Sequence, residues 1–362
     1  MEETQILYFK KIIIDTINKI NNKVKNRDRK ISLKDVIYYS SYLIGNNISY
    51  SLTNIHLGHK NILDVSDGAL IKKRNLIHSK YFKEVNDELL KYIYKNKKNR
   101  TLAVDGSRIA LLKSLSEYDY RLSRTGNYCS VLISSLIDIE NEILINYNLC
   151  KHKNERLALR EQFEYLQEND ILIMDRGYFS YELLYDLHIM KIKPIFRLAS
   201  NLKIYDTINN CNTDTLIITI KVNNLEIKLR LIKYNIGYEI YCLATTIYDK
   251  TVNYFKQSYW GRWKTEINFR SSKYNLSLVE LKSKTERKIK QDVYIHNFIS
   301  IISSYFQHML EKELYGLNYK LNTKNFLSTT INNLLYYLLY KKATKKMINK
   351  FNTLLEMLKK TK

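Results

Sequence analysis

The chain has 362 residues, with 59 Lys+Arg against 36 Asp+Glu, a formal net charge of +23, and 45% hydrophobic residues. That length suggests two or three domains and allows a substantial buried core, and the composition excludes a disordered chain. Nine Gly and one Pro also exclude collagen-like, Pro-rich and Gly/Ser-linker architectures. So large a positive excess points to a polyanion, either nucleic acid or an anionic membrane surface, with a merely basic soluble protein as the plain alternative. The longest apolar runs, such as 334–340, fall far short of the ~20 residues of a membrane span, so nucleic acid leads. Cys129, Cys150, Cys211 and Cys242 lack C-x-x-C spacing, which argues against a metal knuckle or a dense disulfide framework and fits a reducing compartment. The acidic start is no signal peptide, and a cytoplasmic location is expected.

Residues 1–97 read as a helical region. Ile6, Leu7, Phe9, Ile13, Ile14 and Ile17 recur at helical spacing, and Ser32-Leu33-Lys34-Asp35 predicts a capping box ahead of Val36, Ile37, Tyr39 and Leu43. Ser66-Asp67 predicts the cap of a helix carrying Lys72, Lys73 and Arg74, which reads equally as a DNA-recognition helix or a solvated basic turn. The charged stretch 95–100 marks a domain boundary. Beyond it the period changes. A short apolar run, 101–105, closes on Asp105, and 129–137 with 142–149 predicts a hairpin. A helix is expected over 155–167, then a buried strand, 171–175, closing on Asp175, a turn at Gly177 and a helix over about 181–190. Pro194 opens another strand-like run, residues 213–246 alternate in β fashion, and from about Val252 the chain is helical again. No internal repeat is present.

A strand that ends in Asp puts the carboxylate at the carboxyl edge of a sheet, where open α/β folds place their sites. Isolated acids there are often turn residues, but Asp105 and Asp175 both end apolar strands with a Gly close behind, Gly106 and Gly177. Two such carboxylates stay ionised together around a cation, and Mg²⁺ is bound by one or two carboxylates with phosphate oxygens and waters. On a helix of about 100° per residue, Tyr259, Arg262, Glu266 and Lys273 share one polar stripe. Trp260, Trp263, Ile267 and Tyr274 form the adjacent apolar stripe, expected to dock on the sheet. An ordinary amphipathic helix with a solvated polar face is the alternative. Residues 256–290 hold ten Lys/Arg against three acids.

The spacing Tyr259-(2)-Arg262-(3)-Glu266-(6)-Lys273 resembles the Y-R-E-K signature of bacterial insertion-sequence transposases, cut-and-paste DDE enzymes with an RNase H-like core. Asp105-Gly106-Ser107 and Asp175-Arg176-Gly177-Tyr178-Phe179 match the contexts of that family's two aspartates, and the resemblance spans about residues 60–310. It implies an α/β, RNase H-like mixed-sheet catalytic domain over 98–310 with a β-rich insertion at about 195–246. An N-terminal DNA-binding region, 1–97, and a C-terminal helical region, 311–362, flank it. It further implies Asp105, Asp175 and Glu266 as catalytic residues and ligands of two Mg²⁺ ions, with Mn²⁺ as a substitute. Arg262 and Lys273 would grip phosphates, Tyr259 the DNA backbone, and Arg176 either DNA or Asp175. The partners implied are double-stranded DNA, as transposon inverted repeats and target, and a second copy in a homodimer. No membrane and no nucleotide cofactor are expected.

The function expected is metal-dependent excision and integration of an insertion sequence by phosphoryl transfer, with hairpin ends. The alternatives are a domesticated DNA-binding protein that no longer transposes and a stand-alone nuclease. The insertion lacks the Trp on which some members stack a flipped base, leaving Tyr234, Tyr238 or Tyr241 for that part. His152 with Glu155 reads as a loop pair more than as part of the site. Leu334, Leu335, Leu338 and Leu339, beside the basic tail, suit a dimer contact.

Overall fold

A computed structural model describes residues 3–24, 31–45, 65–263, 281, 283–313, 323–341, 349 and 353. The chain begins with four helices, α1 (Glu3–Lys23), α2 (Leu33–Gly45), α3 (Asp67–Leu76) and α4 (Ser79–Ile93). Both expected caps form. At α2 the Asp35 N–H donates to Ser32 Oγ at 3.4 Å while the Ser32 N–H donates to Asp35 Oδ2 at 2.7 Å, a reciprocal capping box. At α3 the Ala69 N–H donates to Ser66 Oγ at 3.3 Å.

The middle of the chain alternates strands and helices. In order they are β1 (Thr101–Leu112), β2 (Tyr128–Asp138), β3 (Ile143–Cys150), α5 (Glu155–Arg160), β4 (Ile171–Met174), α6 (Tyr181–Ile189) and β5 (Lys193–Arg197). There follow α7 (Lys203–Asn209), β6 (Thr215–Val222), β7 (Leu225–Ile236), β8 (Glu239–Thr245) and α8 (Val252–Gly261). Three helices, α9 (Glu286–Glu313), α10 (Thr323–Thr329) and α11 (Leu335–Leu339), come after them.

The strands make one mixed eight-stranded sheet in the order β3-β2-β1-β4-β5-β8-β7-β6. β4 runs parallel to both β1 and β5, and the hairpin β2–β3 is antiparallel, as its sequence predicts. The central runs are continuously apolar because both faces are covered, and Leu102, Ala103, Val104, Leu172, Ile173, Met174, Ile195 and Phe196 are fully buried. The β-rich segment extends this sheet. β8 pairs antiparallel with β5 through Ile195↔Thr245, then with β7, and β7 with β6. A strand edge as apolar as that of β5 demands a partner, and β8 supplies its backbone groups.

The chain forms two compact units, each assembled from separated segments. One contains Met1–Lys95, Ala110–Ser130 and Arg270–Lys362, and the other Asn96–Ile109 and Val131–Phe269. In the first, helical unit, Arg74 is buried and binds within the fold. Its Nε donates to Gln291 Oε1 at 2.8 Å, and its Nη2 pairs with Asp292 Oδ1 at 2.5 Å. Lys73 is buried too, so of the three cations expected to meet DNA only Lys72 is exposed. The reason is periodicity. On α3 positions 70, 73 and 74 share one face with Leu70, which is 1% exposed, and that face packs inward. Leu334, Leu335, Leu338 and Leu339 are also buried within this unit, which corrects their reading as a dimer contact. Lys10 Nζ donates to the Tyr337 carbonyl at 3.0 Å and also to that of Leu338, and Tyr340 donates to Asp35 Oδ1 at 2.6 Å. Among the described residues no helix is long and apolar enough to cross a membrane.

Candidate active site

The second unit aligns two of the expected acids. β1 and β4 pair through Thr101↔Ile171, Leu102↔Leu172 and Ala103↔Ile173, and the same register continued leads to Asp105 and Asp175. A buried clamp fixes that register at its start. Asp170 Oδ2 accepts from Arg100 Nη2 at 2.5 Å and from the Gln167 N–H at 2.8 Å. Its Oδ1 accepts from the Arg100 N–H at 3.1 Å and from Nε at 3.2 Å. β1 does not end at Asp105, as the sequence suggests, but runs on to Leu112. The acid marks the point where the parallel partner β4 stops, at Met174.

Asp175 opens a tight turn in which the Tyr178 N–H donates to the Asp175 carbonyl at 3.0 Å. Its carboxylate is half-buried and well supplied with partners. The Tyr259 hydroxyl donates to Oδ1 at 2.8 Å, Arg197 Nη1 stands 3.8 Å from Oδ1, and Arg262 Nη2 stands 4.0 Å from Oδ2. Burial pushes this carboxyl up, but the Arg176 N–H, Arg262, Tyr259 and Arg197 together outweigh it and hold it below the ordinary carboxylate value. The Arg176 side chain is exposed, and its backbone N–H is what meets Asp175.

Tyr259 and Arg262 are only 2% and 3% exposed. Tyr259, expected on the DNA backbone, instead commits its hydroxyl to Asp175, and burial pushes its own pKa up. The two tryptophans reverse their expected place. Trp260 and Trp263 are 54% and 44% exposed and stack on one another with centroids 4.5 Å apart. α8 buries Phe255 and Tyr259, and Asp175 satisfies the Tyr259 hydroxyl that goes in with them. In the β-rich segment Tyr234 and Tyr241 stack at 5.7 Å and are largely buried, while Tyr238 is fully exposed at the β7–β8 turn. Glu266 and Lys273 lie outside the described residues.

Two residues at the site were not expected there. Arg197, at the end of β5, stacks over Tyr241 at 4.2 Å and bonds Glu239 Oε1 at 2.6 Å while facing Asp175. Its sequence signal was its place at the end of a strand neighbouring β4. Glu155, weighed with His152 as a loop pair more than as part of the site, begins α5, where a helix is expected, and reaches Gly106 and Gly177. Burial and the Asp175 charge raise its pKa, and Arg108 offsets them in part. His152 turns away to Glu161, with Nε2 and Oε1 3.1 Å apart, in a cluster with Cys150. Burial raises the Cys150 thiol strongly, which keeps it protonated and makes that cluster a hydrogen-bonded knot.

Asp105, Asp175 and Glu155 offer only oxygens, which suit hard cations such as Mg²⁺ and Mn²⁺ and not thiophilic metals, although as they stand their ligand atoms do not all lie within 4.8 Å of one another. The buried Tyr178 hydroxyl feels all three carboxylates and is pushed up, first by burial and then by their charges. An added cation fits such a surplus of negative groups.

With this arrangement, the molecule is a DDE-type transposase, an enzyme of DNA transposition. It belongs to the transposase DDE domain family, whose profile matches residues 96–302. Enzymes of this family depend on divalent metal. Among solved structures, the chain is similar in fold to a piggyBac transposase seen in a synaptic complex with hairpin DNA. The TM-score is 0.51 at 13% sequence identity, over 97% of this chain and 85% of that chain. No curated protein matches the chain in sequence.

Proposed function

We propose that the protein excises and integrates an insertion sequence by cut and paste, with Asp105, Asp175 and Glu266 as its catalytic acids. The single observation that carries this reading is the continued β1–β4 register, which brings Asp105 and Asp175 to one sheet edge beside the Tyr259–Arg262 segment of the signature. Two divalent cations, Mg²⁺ with Mn²⁺ as a substitute, would supply Lewis acidity to the attacking and leaving oxygens of an in-line displacement. Asp105, Asp175 and Glu266 would hold them. Tyr259 and the Arg176 N–H orient the Asp175 carboxylate, so Tyr259 is a positioning residue. Arg262 and Lys273 would neutralise phosphate charge beside the scissile bond, Arg262 through the fixed fork of its guanidinium.

The DNA would be held by cations of both units. In the helical unit, exposed Lys72 and a cleft lined by Arg287, Lys288 and Lys290 offer positive charge to a backbone. In the domain scheme inferred here, residues 1–97 bind transposon ends, 98–310 carry the chemistry, and 311–362 contribute to a homodimer or to DNA. Freed 3′-hydroxyls would attack the opposite strand and leave hairpin ends.

The test is cleavage of a duplex carrying the terminal repeats that flank the gene. Wild-type protein with Mg²⁺ or Mn²⁺ is expected to nick and then release hairpin-ended product on a denaturing gel. Asp105→Ala, Asp175→Ala and Glu266→Ala are each expected to lose at least 10³-fold in rate, the scale of removing a group central to transition-state charge. Variants that cut like wild type would end the assignment, and tight binding with no cleavage by wild type would favour the domesticated DNA-binding protein.

A further inference from the structure

We propose that Glu155 is a further carboxylate of the metal-binding group, a ligand to a divalent cation held with Asp105 and Asp175, which rests on the reading of those two aspartates given above. Glu155 is the first residue of α5, and the helix start that carries it is pinned. Asn154 Oδ1 accepts from the Arg156 N–H at 3.0 Å and from the Leu157 N–H at 3.2 Å. Arg156 Nε in turn donates to the Gly177 carbonyl at 3.0 Å, which ties α5 to the turn after Asp175.

The side chain then lies against both glycines that follow the aspartates. A β-carbon at Gly106 would stand 3.0 Å from Glu155 Cγ and 3.1 Å from Oε1, and one at Gly177 would stand 3.2 Å from Oε2. The two carboxylate oxygens therefore border the two acid-bearing segments, and the absence of side chains at 106 and 177 makes the room for them. That gives a physical reason for glycine at positions where neither residue has a positive φ.

Two further observations point to a missing cation. Among the described residues no Lys, Arg or His stands within ion-pair distance of Glu155, whereas Asp175 faces two guanidinium groups. Tyr178, 1% exposed, has a hydroxyl that makes no hydrogen bond of good geometry, Ser134 offering it only a weak one, and the charges acting on it are Glu155, Asp105 and Asp175. A half-buried carboxylate facing other carboxylates, with Arg108 acting only from beyond ion-pair distance, is the ligand a hard divalent cation takes.

The experiment is Mn²⁺ binding to the full-length protein without DNA, read by electron paramagnetic resonance and calorimetry. Wild type, Glu155→Gln, Glu155→Asp and Asp105→Asn are compared, with circular dichroism melts checking that each is folded. Glu155→Gln is expected to weaken Mn²⁺ binding about tenfold or more, the scale that losing even an outer-shell partner of a metal site carries. Glu155→Asp, which keeps the charge on a shorter arm, is expected to fall between the two. If Glu155→Gln binds Mn²⁺ like wild type while Asp105→Asn does not, Glu155 is no ligand and the aspartates stand. If Asp105→Asn binds like wild type, or wild type shows no saturable binding, the aspartate reading falls and this proposal with it.

Discussion

Asp170→Asn tests whether the buried clamp below the site sets the geometry above it. Asp170 is 0% exposed and Arg100 3%, and the carboxylate accepts four hydrogen bonds, from three atoms of Arg100 and the Gln167 N–H. Removing the charge from one partner of such a pair leaves a buried guanidinium uncompensated, which costs about 3–5 kcal/mol. Asparagine keeps the shape but turns one acceptor into a donor, so the side-chain NH2 then opposes either Arg100 Nη2 and the Gln167 N–H or the Arg100 N–H and Nε. The estimate is therefore ~3 kcal/mol or more, a large share of the 5–15 kcal/mol that stabilises an ordinary domain. Trp260 and Trp263, the only two tryptophans, both belong to the unit that contains the clamp, so their fluorescence in a urea titration reports that unit. Arg100 and Asp170 begin the strand stretches that lead to Asp105 and Asp175, and cleavage should weaken at temperatures where the variant is still folded. A loss below about 1 kcal/mol, the range of a surface ion pair, would refute the reasoning.

Three more outcomes follow from the same geometry. Tyr259→Phe removes a donor that favours ionised Asp175, so the carboxyl should titrate at higher pH and the acidic limb of the cleavage profile should move up; an unmoved limb contradicts the assigned hydrogen bond. Lys10 has its pKa lowered to about 8 by burial and by Lys34, against an ordinary 10.5. A lysine depressed in the folded state binds its proton more tightly when unfolded, so stability should rise between about pH 8 and 10.5, by about 3 kcal/mol. Lys10→Met should flatten that rise in urea melts followed by circular dichroism, and an equal rise in both proteins would assign it elsewhere. Lys72→Ala and Arg74→Ala should separate two roles that the sequence leaves merged. The first is expected to reduce the slope of log affinity against log salt by about 0.9 with the fold intact. The second is expected to cost about 3–5 kcal/mol by stranding buried Asp292; the reverse pattern in binding isotherms and melts would overturn the assignment.

The parts of the fold that were readable in the sequence are those where one signal has one cause. The Ser32–Asp35 box, the Ser66 cap, the β2–β3 hairpin and the apolar strands β1 and β4 each follow from a short-range pattern, and each forms. What was not readable depends on which of several equivalent faces turns inward. The sequence places Tyr259 and Arg262 beside Trp260 and Trp263 on neighbouring stripes, and hydrophobicity alone buries the indoles. The outcome is opposite, because Asp175 accepts the Tyr259 hydroxyl and faces Arg262, and a hydroxyl hydrogen-bonded to a carboxylate buries at little cost while two indoles can stack on each other. Arg74 teaches the same lesson from the other side, since Asp292 and Gln291, which lie far along the chain, decide whether a basic helix faces solvent. Glu155 escaped for a related reason. The sequence pairs it with His152, which turns elsewhere, and only the glycines at 106 and 177, distant in sequence and joined by the β1–β4 register, record that a side chain passes between them. A glycine beside a catalytic acid is thus as informative about the neighbour it makes room for as about its own backbone.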